Sequence, residues 1–198
     1  MILVVAVIAG ISVALIRGGS LRALADMQFR LGWLALLALL VQMYVIYYPP
    51  ETSQMERTFH AALMMGSYAV LIVLVLINRR MPAMPIIGLG LLLNLIVMAS
   101  NGGFMPVTRE AVLTAGTRTA AELPAEGSRL SRSKDILLPA DKTRLWILSD
   151  VITASGMPMA RVYSPGDLLV AGGAFLLLQI VMMTGRTRRF PEKETSAT

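Results

Sequence analysis

Three side chains in this sequence have the surroundings that chemistry needs. Asp150 sits in Leu-Ser-Asp-Val-Ile, an acid set among apolar neighbours. A carboxylate withdrawn from water needs a partner or a shifted pKa, which makes Asp150 a candidate general base or ligand contact. Its structural alternative is to accept backbone amides in a turn, or to pair with Arg144 or Arg161. Asn101 opens the block Asn-Gly-Gly-Phe-Met-Pro-Val-Thr, directly after an uncharged run from Ile86 to Ser100. Gly102 and Gly103 permit positive φ, so the chain can turn sharply where a helix stops. Phe104 can anchor at an interface, and Pro106 prevents the helix from resuming. A stop signal explains every residue type here except an Asn before two glycines. Asn101 is therefore a candidate ligand contact, and the question is whether it faces Asp150. His60, the single histidine, reads as an interfacial or capping residue, or as a pH-sensing group.

Other chemistry is poorly provided for. The chain has no cysteine, so it has no disulfide framework, thiolate nucleophile or cysteine metal site. One imidazole cannot make a classical zinc centre. Met55, Met105, Met157 and Met159 fall in segments near His60 and could hold copper(I), but methionine is also the ordinary filler of apolar interfaces. No phosphate loop, nucleophile elbow or paired histidine–carboxylate motif is present. No cofactor and no metal are expected, and an enzyme is the less favoured class.

Ser164-Pro165-Gly166-Asp167 has the form of a helix start. Serine fits N-cap, proline N1 and an acid N3, where Asp167 reaches back to orphan amides at the positive helix end.

The elements that must position these residues are apolar. Of the 198 residues, 56% are hydrophobic and 15% charged, and mean hydropathy is +0.67. Soluble domains carry about a quarter charged residues. Five apolar segments stand out, over residues 2–16, 31–48, 61–77, 86–100 and 167–184. A membrane span needs roughly 20 residues, so the first and fourth need their flanks. No basic residue precedes the first segment, which therefore reads as a retained helix rather than a signal peptide. Basic residues cluster at Arg17, Arg22 and Arg30, at Arg79 and Arg80, and at Arg186, Arg188, Arg189 and Lys193. The positive-inside rule then puts the N-terminus outside, the C-terminal tail 185–198 in the cytoplasm and the long loop 101–165 outside. The net charge of +6 follows from this topology and implies no nucleic-acid partner. The expected fold is a single all-α domain, a five-helix transmembrane bundle.

Within the loop, a short helix is expected from Arg109 to Ala115, capped by Thr108 and stopped by Gly116. The stretch from there to Lys134 has few large apolar residues, the composition of a mobile segment. The apolar stretch around Trp146 should fold back on the bundle or lie at the outer interface. Gln42, Ser67, Asn94 and Gln179 are the polar residues inside the spans. None is ionisable, which argues against an ion-coupled transporter, and Asn94 and Gln179 should hydrogen-bond between helices. Ala6, Gly10 and Ala14 give the first helix a stripe that permits close packing.

Four blocks occur in order: GGSLRALADMQFR (18–30), NGGFMP (101–106), LWILSDVI (145–152) and YSPGDLL (163–169). Together they resemble an uncharacterised family of bacterial integral-membrane proteins. The resemblance implies the bacterial cytoplasmic membrane and about five spans, and it lends no activity. The leading expectation is a structural or interaction subunit in the lipid bilayer, partnered by another membrane protein or by a second copy. The alternatives are a ligand-binding module or enzyme at the outer face using Asn101 and Asp150, and a channel or carrier for a neutral solute.

Overall fold

The computed structural model describes residues 2–48, 53–155 and 161–187. Met157, Met159 and the tail beyond residue 187 lie outside the described residues.

The chain is mostly helical, and its apolar segments become helices: α1 (Ile2–Ile16), the short α2 (Leu21–Ala25), α3 (Trp33–Tyr47), α4 (Gln54–Ile77), α5 (Met84–Ser100), α6 (Arg109–Thr114) and α7 (Pro165–Thr187). Two of them, α4 and α7 from Pro165 to Thr184, are long and apolar enough to cross a membrane, whereas α1, α3 and α5 are shorter apolar helices. The start of α4 lies well before the apolar run. Ser53 accepts from the backbone N–H of Glu56 at 3.2 Å, so the helix begins in polar sequence.

The expectation of an all-α fold is corrected by four short strands, β1 (Met105–Val107), β2 (Asp135–Leu137), β3 (Ile152–Ala154) and β4 (Arg161–Tyr163). β1 pairs in parallel with β2, and β3 pairs antiparallel with β4. Val107 also bridges to Asp150 on the other side of β1. All four strands lie in the 101–165 loop, which folds into a cap. Their three-residue length hides them from any periodicity argument.

The principal helix contacts run in series: α1 on α7, α7 on α5, α5 on α4, α4 on α3. Close approach is built in where α5 meets α7. A Cβ on Gly90 would lie 2.5 Å from the Gly166 carbonyl oxygen and 2.9 Å from Leu169 Cβ. Polar residues inside the helices bond between helices, as expected of Gln179. Gln179 donates to the Gly10 carbonyl at 2.6 Å, and Gln42 donates to Ser67 at 3.1 Å.

The cap sits on one end of this row. Phe104, Met105 and Ile136 from the cap join Val45, Met64, Tyr68, Val97 and Met98 from the helices in a single core. Val107, Val112, Leu130 and Leu137 form a second, smaller core within the cap. Phe104 is thus corrected from an interfacial anchor to a core residue, 0% exposed. The turn at Gly103, with φ +90°, carries it inward, and Gly103 itself packs on Ala61 of α4. The stretch before Lys134 is tied down as well. The Arg129 guanidinium is buried, donates to the Val45 and Tyr48 carbonyls at the C-terminus of α3, and stands 5.8 Å from the Phe104 ring centre. Arg57 of α4 donates to the Gly127 carbonyl at 2.9 Å. α6 forms as expected, with Thr108 accepting from Ala111 N–H at 3.1 Å and Gly116 at φ +67°.

Candidate functional site

Asn94 lies on α5, roughly 9 Å along the axis from its Ser100 end. At that depth it meets the start of α7. Ser164 caps α7, accepting from Asp167 N–H at 3.0 Å, and donates its hydroxyl to Asn94 Oδ1 at 2.8 Å. The Asn94 amide donates to Asp167 Oδ1 at 2.7 Å. The N-cap and N1 assignments of Ser164 and Pro165 therefore hold, and Asp167 reaches back as expected, its carboxylate taking the Ser164 backbone N–H. The same carboxylate also takes the Asn94 amide, which the close approach of α5 to α7 at Gly90 and Gly166 brings within reach.

The second donor comes from the cap. Lys134 Nζ donates to both Asp167 oxygens at 3.1 Å, with the two side chains 20% and 19% exposed. Burial works against the ammonium charge, but Asp167, Tyr68, Asp150 and Asp135 outweigh it and hold the Lys134 pKa well above the ordinary lysine value.

Asp135 and Asp150 complete the cluster. Asp150 is 1% exposed, and its N–H donates to the Pro106 carbonyl at 3.1 Å. Ser133 donates to Asp135 Oδ2. Among the described residues, Oδ1 of Asp135 and Oδ1 of Asp150 are buried and receive no hydrogen bond from a protein donor. Burial first, then the neighbouring Asp135 and Asp167 carboxylates, push the Asp150 pKa well up against the pull of Lys134. Burial also raises Asp135, opposed by Lys134, Ser133 and Arg161. The structure thus assembles four ionisable groups beneath the cap, where helices α4, α5 and α7 converge.

This corrects the picture of an interior without ionisable groups. The helices bring Asp167 and the Tyr68 phenol to it, and the loop lowers the rest between them. Lys134, Asp135 and Asn94 were not singled out as site residues by sequence. One signal was present: Ser133-Lys134-Asp135-Ile136-Leu137 repeats the pattern at Asp150, an acid at the start of an apolar run.

The other sequence candidates are placed elsewhere. Asn101 caps the end of α5, and its side chain bonds to backbone. It donates to the Val97 and Arg144 carbonyls at 2.8 and 2.9 Å and accepts from Arg144 N–H at 3.0 Å. Asn78 does the same at the end of α4, bonding the N–H and carbonyl of Arg30, each at 2.9 Å. Two helix-ending asparagines therefore clamp the backbone of a distant segment, one at each end of the molecule. This is the reason for an Asn before the two glycines. Asn101→Ala should lose about 1–3 kcal/mol of local stability. The check is faster tryptic cleavage after Arg144 in the folded, detergent-solubilised chain.

His60 is buried against the rings of Tyr48 (4.9 Å between centres), Tyr44 (5.9 Å) and Phe59 (6.0 Å). Met105 is in the core and Met55 is on the surface, so neither reading of His60 as a copper ligand nor a methionine set gains support from their placement. Among the described residues no group of three or more His, Cys, Asp or Glu is placed to hold a metal.

The model of a family of unknown function, DUF5317, matches residues 26–179. The chain belongs to the DUF5317 family. The matched DUF5317 span includes every residue of the buried cluster, from Tyr68 through Asp167. It leaves out α1 and α2, and with them most of the block 18–30. No curated protein matches the chain, and no solved structure does.

Proposed function

We propose that this DUF5317 member is a multi-pass protein of the bacterial cytoplasmic membrane that works as a binding module at the outer face. Its five apolar helices span the bilayer, with the N-terminus and the cap outside. The observation that carries the site is the set Lys134, Asp135, Asp150 and Asp167, withdrawn from water at the junction of cap and helices. Ionisable groups withdrawn from water are costly, and clusters of them mark candidate functional sites. This ranks the module above a purely structural subunit, which needs no such cluster, and above a neutral-solute channel. Asp150 remains a ligand-contact candidate within it, and Asn101 supports it as the clamp of the adjoining segment.

The membrane reading rests on what the helices leave uncovered. Only 33% of the apolar window of α4 and 28% of that of α7 is buried, whereas the core helix of a soluble protein is mostly buried. Leu36, Leu40, Val73, Leu76, Leu89 and Ile96 are exposed large side chains on α3, α4 and α5. Arg17, Arg22, Arg30, Arg79 and Arg80 lie at or beside the end opposite the cap, which supports that end as cytoplasmic.

A chain without cysteine makes the topology directly testable. Glu126→Cys, in the cap, should react with an impermeant maleimide in intact cells, and Arg80→Cys should react only after lysis. The reverse pattern would invert the protein and remove the outer-face reading. For the site itself, small molecules released from the mildly solubilised wild type and from Asp167→Asn are compared by mass spectrometry. A molecule held only by the wild type supports the module; an empty wild type returns the weight to the subunit reading.

A further inference from the structure

Asp135 and Asp150 lie on opposite sides of β1, in register with Met105 and Val107. Paired residues share a face of a ladder, and so do residues two apart along a strand. The two aspartates are therefore presented on one face of the cap, each with a buried Oδ1 that takes no protein donor. Two ionised carboxylates turned toward each other out of water repel. A single proton between them satisfies both orphan oxygens at once. We propose that Asp135 and Asp150 hold one proton between their Oδ1 atoms, so that the cap–helix junction is a proton-binding site. The inference rests on the site reading above and names the proton as a ligand of it.

Charge balance agrees. The groups facing the pair are Lys134 from the cap, Asp167 from α7, the Tyr68 phenol from α4 and Arg161 from β4. Among these groups Lys134 is the buried cation, with Arg161 exposed at the rim, and it meets three carboxyl groups, so a retained proton cuts the excess of negative charge between the cap and the helices. Proton loss restores that excess. Binding and release are balanced as carboxylic acid to carboxylate plus a proton, with no other reactant.

The sign for stability follows. Both aspartates have folded values above the unfolded value of about 3.9. The folded chain then holds more protons than the unfolded one as pH rises from about 4. The stabilisation is complete below that pH and is lost as pH rises through the raised folded value of the pair.

Infrared difference spectroscopy on the full chain in lipid nanodiscs tests this without any variant having to fold. A carbonyl band of a protonated carboxylic acid that persists above the ordinary aspartate range, shifted in heavy water, is the expected result. It should vanish in Asp150→Asn and in Asp135→Asn. Absence of the band in the wild type overturns the shared proton while leaving the site, since inverted maleimide labelling is what would remove the outer placement. The second measurement is thermal unfolding across pH. Wild-type Tm should fall as pH rises, and Asp150→Asn, with an amide in place of the acid, should flatten that slope and raise Tm on the alkaline side. An Asp150→Asn chain with an unchanged slope overturns the proposal equally.

Discussion

Replacing Lys134 with methionine should be among the most damaging single changes in the molecule. Methionine keeps the length of the apolar stem and removes the charge, so the loss measured is that of the ammonium. Asp167 would keep Asn94 and Ser164 as partners but lose the counter-charge it pairs with among the described residues, with Asp135 and Asp150 close by. Breaking a buried ion pair from one side costs about 3–5 kcal/mol. About a fifth of each side chain is exposed here, which places the effect toward the lower end. The expected result is a large drop in Tm in detergent and loss of protease protection in the cap. Adding Asp167→Asn to Lys134→Met should recover a substantial part of the loss, because no unpaired charge then remains at that position. A double variant as unstable as the single one would mean that Lys134 acts by packing and not by charge.

Phe104→Ala should cost about as much for an unrelated reason. A fully buried aromatic cut to alanine loses roughly 3–5 kcal/mol through lost transfer energy and the cavity left behind. Phe104 packs among the residues that join the cap to α3, α4 and α5, and its ring lies beside the Arg129 guanidinium. Loss of the ring should loosen the cap selectively. Hydrogen exchange should accelerate in β1, β2 and around Arg129 more than in the helices. Had Phe104 been a lipid-facing anchor, as its place after two glycines suggests, the change would fall within about 0.5 kcal/mol, as surface substitutions do. The size of the effect separates the two placements.

The two glycines illustrate how far local chemistry reaches. That the chain turns at Gly102 and Gly103 is written in their freedom to take positive φ, and both do, at +79° and +90°. Where the turn sends the next side chain is not written there. Gly103 packs on Ala61, a residue of another helix, and this contact aims Phe104 into the core. The short α6 was legible for the opposite reason, since its cap Thr108 and its terminator Gly116 act within a few residues of the helix itself.

By itself the sequence determined where the apolar helices lie, where α6 and α7 begin, which end of each helix neighbours the arginines, and that Asn94 and Gln179 would bond between helices. Each of these depends on residues within a turn or two, or on the one demand that a polar group in an apolar interior find a partner. Only the tertiary structure decided that the 101–165 loop folds into a cap with strands, that Asn101 clamps Arg144, and that Lys134, Asp135 and Asp150 are lowered onto Asp167. The bonds that build the site join residues 33 and 73 positions apart. No local pattern specifies such a partner. The pairings are set by the close approach of α5 and α7 at Gly90 and Gly166 and by the burial of Phe104, which draws the cap down until its charges must meet one another instead of water.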